Sequence, residues 1–235
     1  MNIFALSSGR GPSGIAIVRI SGKETLKICK NLTKLKNIKE NQVNFCKFYD
    51  PKNDRVIDPE ALLLWFPGPN SYTGEDMAEI HVHGSIAVIQ SILENLSNIK
   101  NCRLAEPGEF TKIAFQNDKI NLLKAESIGD LIASETEIQR RQALKIMSGI
   151  SSDKFNSWRE ILLKILSNIE AKIDFPDEDL PIDILKNIKK NSEIVKTEIK
   201  KTLNDSNVGE RIREGFKIAI LGPVNAGKSS LLNYL

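Results

Sequence analysis

Apolar positions change their period along the chain, and each change marks a different kind of element. Ile15–Ile20 (IAIVRI) and Ala61–Phe66 (ALLLWF) are short apolar runs bounded by glycine and proline, the pattern of buried strands. Gly11-Pro12-Ser13-Gly14 and Pro67-Gly68-Pro69-Asn70 are turn chemistry beside them. Glu79–His83 (EIHVH) alternates polar and apolar residues, which predicts a half-buried strand. After Pro107-Gly108 the pattern turns helical. Between Lys119 and Met147 apolar residues recur at Ile128, Leu131, Ile132 and Ile138. Phe155, Trp158, Leu162, Ile165, Ile169 and Ile173 follow at steps of three and four, predicting a second helix. Asp174–Pro181 (DFPDEDLP) breaks it, because proline cannot continue a helix interior. A third helix is expected over Asp183–Asn204, and KIAIL, from Lys217, reads as a strand running into Gly222. The expected class is an α/β region followed by a helical one.

Composition narrows the function classes more than it selects one. The 235 residues hold 41% hydrophobic and 27% charged residues, ordinary for a globular chain with a real core. Basic and acidic residues number 14 and 13 over Met1–Asp118, 17 and 16 over Lys119–Arg213, and 2 and 1 over Glu214–Leu235. No charge block therefore marks a nucleic-acid clamp. No apolar stretch approaches the ~18–20 residues that cross a bilayer, and MNIFALSSGR lacks a signal-peptide layout. Cys29, Cys46 and Cys102 are odd in number and widely spaced, which suggests neither a disulfide framework nor a zinc knuckle. A reducing cytoplasmic setting is expected.

The strongest local motif is Gly222-Pro223-Val224-Asn225-Ala226-Gly227-Lys228-Ser229, a G-x-x-x-x-G-K-S phosphate loop between an expected strand and an expected helix. Such a loop turns backbone N–H groups inward, adds the positive end of a helix, and offers a lysine to phosphate and a hydroxyl to Mg²⁺. In Glu79-Ile80-His81-Val82-His83, period two puts Glu79, His81 and His83 on one face. A small-molecule pocket, a metal site and a solvated strand face all fit that pattern. Arg19 shares a strand face with Ile15 and Ile17, either as a snorkelling surface residue or as a hook for carboxylates. Lys119, by itself, reads as a surface lysine.

Together the motifs resemble one family. RGPSGIAIVRISG (from Arg10), LWFPGPNSYTGEDMAEIHVHG (from Leu64), PGEFTKIAFQNDKINLLKAESIGDLI (from Pro107) and EAKIDFPDED (from Glu170) precede GPVNAGKSSLLNYL. This is similar to the amino-terminal half of the MnmE (TrmE) family of tRNA-uridine-modifying GTPases. The resemblance implies a folate-binding, dimerising α/β domain over residues 1–118, similar to the aminomethyltransferase folate domain. It implies a helical domain over 119–213 and the first strand and phosphate loop of a Ras-like G domain, truncated, over 214–235. It further implies GTP hydrolysis with Mg²⁺ and K⁺. With an FAD-dependent partner, MnmG, the family adds a (carboxymethyl)aminomethyl group to C5 of wobble uridine in tRNA, using a formyl or methylene tetrahydrofolate.

By position, the resemblance assigns folate contacts to Arg19, Glu79 and Lys119. It assigns GTP contacts to Asn225, Ala226, Gly227, Lys228, Ser229 and Ser230, with Ser229 on Mg²⁺ and Asn225 on K⁺. Ser85, Ile113, Asn121, Lys124 and Val224 depart from the usual family residues. No D-x-x-G or N-K-x-D motif occurs in the chain. The alternative expectation is that these residues form a non-catalytic folate-binding dimerisation module.

Overall fold

A computed structural model describes residues 1–9, 11–174, 184–215, 219–223 and 225–234, without the side chains at 205–208, 210–212 and 214. The chain divides into two compact units, Met1–Ala125 and Glu126–Leu235.

The first unit is a mixed sheet of β1 (Asn2–Leu6), β2 (Ser13–Ser21), β3 (Val43–Tyr49), β4 (Val56–Phe66), β5 (Met77–Gly84) and β6 (Cys102–Leu104). Their spatial order is β3-β4-β5-β2-β1-β6, antiparallel throughout except where β1 meets β6. Helices α1 (Thr25–Thr33), α2 (Ile86–Ser97) and α3 (Glu109–Gln116) complete it. Alternation decides the layering. Phe4, Val18, Ile20, Leu63, Ala78, Ile80 and Val82 point to one face and form the core with Ile28, Leu32, Ile89, Ile92 and Leu96 of α1 and α2. Their neighbours along the strands point the other way, so Arg19, Glu79 and His81 lie on the face opposite these two helices. Both strands expected in β2 and β4 lie inside longer ones, and EIHVH is the centre of β5. At Gly84 a Cβ would fall 2.1 Å from Ser13 Oγ, so the close approach of β2 to β5 there requires glycine.

Helix α4 (Leu122–Ile132) and the second unit's α5 (Glu137–Met147), α6 (Ile150–Asp174), α7 (Ile184–Glu214) and α8 (Lys228–Tyr234) follow. The helical run expected over Lys119–Met147 is thus two helices. Thr136 starts the second by a reciprocal cap with Gln139, which fixes a turn that the apolar period alone does not show. Asn121 accepts the Lys124 N–H at 2.9 Å at the start of α4, and Ser85 accepts that of Val88 at 3.2 Å at the start of α2. Two departures from the family pattern are therefore competent caps. Helices α6 and α7 meet through Trp158, Ile165 and Val195, with Trp158 Nε1 donating to Glu198 at 2.5 Å. Helix α7 runs ten residues beyond the expected Asn204. The break expected at Asp174–Pro181 lies, beyond Asp174, outside the described residues.

The strand expected at KIAIL is not formed where it can be followed. Residues 216–218 lie outside the described residues, and Ala219, Ile220 and Leu221 pair with no strand among those described. A strand exists by its ladder, and here no neighbour supplies one.

Candidate functional site

Arg19 and Glu79 are register partners on β2 and β5. Arg19 donates to Glu79 Oε1 from Nε at 3.1 Å and from Nη2 at 2.7 Å. Their side chains are 28% and 19% exposed, so the charges are partly desolvated but reachable. Aromatic rings flank the guanidinium: Tyr72 and Phe110 each place a ring centroid 5.6 Å from its central carbon. The second carboxylate oxygen of Glu79 stands 3.7 Å from His81 Nε2, too far for a hydrogen bond. His81 Nε2 is buried and has no hydrogen-bond partner among the described residues, and the same holds for Trp65 Nε1 on β4. Buried donors and acceptors without partners are uncommon in native structures.

The segment Pro67–Asp76 is pinned to α3 and to the turn at its C-terminal end. Tyr72 Oη lies 2.9 Å from Thr111 Oγ1, and Asn117 donates to the Thr73 carbonyl at 2.7 Å. Thr73 is fully buried, with its hydroxyl 2.8 Å from Ser21 Oγ on β2. Lys119 Nζ donates to the Pro69 carbonyl at 2.8 Å. Gly74 makes that possible, since its φ is +80° and a Cβ would lie 3.3 Å from the Lys119 stem. The structure therefore brings Arg19 and Glu79 into contact and holds Lys119 on the loop that carries Tyr72. Among the described residues, no hydrogen bond or ion pair joins Lys119 to Arg19 or Glu79.

His83 belongs to a different arrangement. Its Nδ1 is 3.0 Å from both oxygens of Asp58, and its backbone N–H donates to Asp58 Oδ2 at 2.8 Å. Glu60 N–H donates to Oδ1 at 3.1 Å. Burial would raise the Asp58 pKa, but the two backbone donors and the imidazole outweigh it and hold the carboxyl below its ordinary value. The ionised carboxylate can only accept, so Nδ1 of His83 carries a proton in this contact. Sequence reading missed Asp58, Tyr72 and Phe110. Asp58 interrupts an apolar strand beside Pro59, and that interruption is the one signal it left. No cluster of three or more His, Cys, Asp or Glu side chains forms a candidate metal site among the described residues.

The phosphate-loop residues lie on an exposed turn. Asn225, Ala226 and Gly227 precede α8, which begins with Lys228, Ser229 and Ser230. Asn225 and Gly227 have φ of +64° and +77°. Lys228 Nζ donates to the carbonyls of Gly222 at 3.1 Å and Pro223 at 2.7 Å, closing the loop on itself.

The sheet with an ion pair on its open face, followed by a helical unit, defines a two-part α/β and all-α chain. Comparison with known proteins gives that architecture its family. The model described as "GTP-binding protein TrmE N-terminus" matches residues 2–119, and "MnmE helical domain" matches residues 122–229. The chain belongs to the MnmE (TrmE) family. A protein of Pelagibacter ubique named "tRNA modification GTPase MnmE" is 66% identical over 235 residues, covering 100% of this chain and 53% of that protein. Proteins of the same name from Rickettsia bellii and Parvibaculum lavamentivorans are 47% and 43% identical over 233 residues. These alignments cover 99% of this chain and 52% and 53% of the relatives. The chain spans about half the length of the curated relatives it matches. No helix among the described residues is long and apolar enough to cross a membrane.

Proposed function

We propose that this chain is part of a GTP-hydrolysing tRNA-modification enzyme whose first unit binds a one-carbon tetrahydrofolate. In this reading residues 1–118 form the folate-binding and dimerising part, 119–213 the helical part, and 214–235 the beginning of the G domain. The observation that carries the folate assignment is the Arg19–Glu79 pair, half-buried between Tyr72 and Phe110. Flat rings and a carboxylate suit a pterin, whose N–H groups would donate to the free oxygen of Glu79. Arg19 and Lys119 are cations for the carboxylates of the folate tail. The orphaned His81 Nε2 beside Glu79 fits an added polar group.

The partners are those that family membership implies: tRNA bearing a wobble uridine, an FAD-dependent subunit of the MnmG kind, and a second copy of the chain. The dimer draws support from the open sheet face, where Phe45 and Ile15 are 80% and 64% exposed. Sedimentation of the chain at micromolar concentration tests it, and a monomer throughout that range counts against it. In the phosphate loop, Lys228 would exchange the Gly222 and Pro223 carbonyls for phosphate oxygens. Ser229 and Asn225 offer hard oxygens to Mg²⁺ and K⁺, and the adjoining backbone of Ala226, Gly227 and Ser230 offers N–H groups. A cytoplasmic location accords with this chemistry.

Isothermal calorimetry with 5-formyltetrahydrofolate tests the folate assignment. Saturable binding, weaker for a pterin that lacks the glutamate tail, is expected; no heat at high micromolar concentration overturns it.

A further inference from the structure

Over residues 184–204 the segment of α7 holds six lysines against two glutamates. The helix does not scatter them. At 100° per residue, Lys186, Lys189, Lys190, Lys196, Lys200 and Lys201 all fall on the side opposite Val195, the buried residue that faces inward. All six are exposed. Of the two acids, Glu198 turns toward α6 to accept from Trp158, and only Glu193 shares the lysine face. Glu193 is taken by Lys196 at 2.9 Å. The hydrogen bond from Lys196, with Lys200 and Lys189 nearby, holds the Glu193 carboxyl below its ordinary value, which is how a positive surface acts on a carboxylate. Lys189, Lys190, Lys200 and Lys201 have no ion pair among the described residues.

We infer that this face of α7 docks the phosphate backbone of an RNA. The inference rests on the proposed role in tRNA modification and adds the surface that would meet the tRNA. The lysine face extends about 22 Å from Lys186 to Lys201, long enough to follow several successive phosphates. An acidic membrane surface fits less well. An interfacial helix must dip an apolar face into the lipid, whereas α7 packs against α6 and Val195 on its inner side is 3% exposed. The balanced charge count over residues 119–213 hid this face, because the compensating acids lie mostly outside this segment.

The test is fluorescence anisotropy of a labelled, unmodified tRNA transcript with the full chain across a range of salt concentrations. Lys189, Lys190, Lys200 and Lys201 are changed together to glutamine. Equal charge is removed elsewhere by changing the exposed Lys36, Lys39, Lys47 and Lys52 to glutamine. The expected result is that only the α7 variant loses affinity, by about tenfold or more, with a salt slope shallower by about 2–4 units. Arginine at the same four positions should retain binding, which separates lost charge from lost fold. Equal losses in both glutamine variants, or none in the α7 variant, overturn the surface while leaving the folate and GTP assignments standing. Failure of the unaltered chain to bind tRNA overturns the surface and the tRNA role together. Preferential binding to phosphatidylglycerol vesicles over tRNA replaces RNA with a membrane and also overturns it.

Discussion

Arg19 and Glu79 sit directly across from each other on neighbouring strands, and the arginine gives both of its contacts to one carboxylate oxygen. The other oxygen is left to a histidine it does not reach. Arginine–carboxylate pairs frequently use both oxygens in a fork, and this pair does not. The one-sided arrangement keeps half of the carboxylate available on an open sheet face.

Removing either member should separate binding from stability. Glu79→Gln keeps the shape and an acceptor but loses the charge, and Arg19→Ala leaves the Glu79 carboxylate without its partner. Each should weaken 5-formyltetrahydrofolate by about 2–5 kcal/mol in a desolvated site. Thermal melting should move little, because the pair lies outside the apolar core. Calorimetry on both variants checks this, and unchanged affinity in both would remove these residues from the site.

Asp58 gives a pH-dependent prediction with a definite sign. Its carboxyl pKa is lower in the folded protein than in the unfolded chain, so its contribution to stability is fully present above the unfolded value of about 3.9. That contribution disappears as pH falls through the lower, folded-state value. Asp58→Asn places an amide where backbone N–H groups of His83 and Glu60 need acceptors, and should cost about 1–3 kcal/mol at neutral pH. Urea unfolding of both proteins should show the gap closing under acid conditions. A gap independent of pH would mean that ionisation of Asp58 contributes nothing.

How much of this was legible depended on the range of the interaction concerned. Period two in Glu79–His83 and the apolar run at Ala61–Phe66 named two central strands, because alternation records which face is buried. The same alternation placed Arg19 beside Ile17 correctly. It could not pair Arg19 with Glu79, sixty residues away, since register is set by contacts between strands. Strands β1 and β6 left no signal, being short and held by pairing, β1 between β2 and β6 and β6 at the sheet edge. The split of the long helical run was written in Thr136-Glu137-Ile138-Gln139, a capping signature that apolar period alone overlooks. Of the site, Arg19 and Glu79 stood out by alternation with their roles left open, while their folate roles and Lys119 entered through resemblance. Tyr72 and Phe110 emerged only when a loop and a helix folded over the same strand.

The three cysteines should be inert in the native state. Burial pushes the Cys29 thiol up to about 12, with Cys46 adding to the shift. Burial likewise pushes Cys46 and Cys102 to about 11, with Asp58 and Glu24 respectively contributing. At about pH 8 the reactive thiolate is then roughly one part in a thousand or less. Labelling with a disulfide reagent should proceed slowly in buffer and fast in urea. Prompt modification without denaturant would contradict the burial of Cys29 or Cys102 and the raised pKa of the half-buried Cys46.

The last prediction concerns the phosphate loop. Lys228 and Ser229 carry the G-K-S end of the phosphate-loop motif, yet Lys228 Nζ is spent on two carbonyls of its own loop. Ala219–Leu221 pair with no strand among those described, and Leu221 and Tyr234 are 90% and 89% exposed. A loop aims its N–H groups only if a sheet fixes the strand before it and a packed helix the turn after it. Hydrolysis needs more, namely a positioned water and charge stabilisation on the transferring phosphoryl, and each is worth orders of magnitude in rate. The 235 residues contain neither a D-x-x-G nor an N-K-x-D motif to sense the γ-phosphate or read guanine. We therefore expect no potassium-dependent phosphate release from this polypeptide alone. The same chain continued with the second half of the Pelagibacter relative should release phosphate, and Lys228→Ala should abolish that activity. Release from the 235 residues that disappears in Lys228→Ala would show that the loop is organised without a surrounding G domain. Silence of the continued chain would instead count against GTP hydrolysis as the activity of this family member.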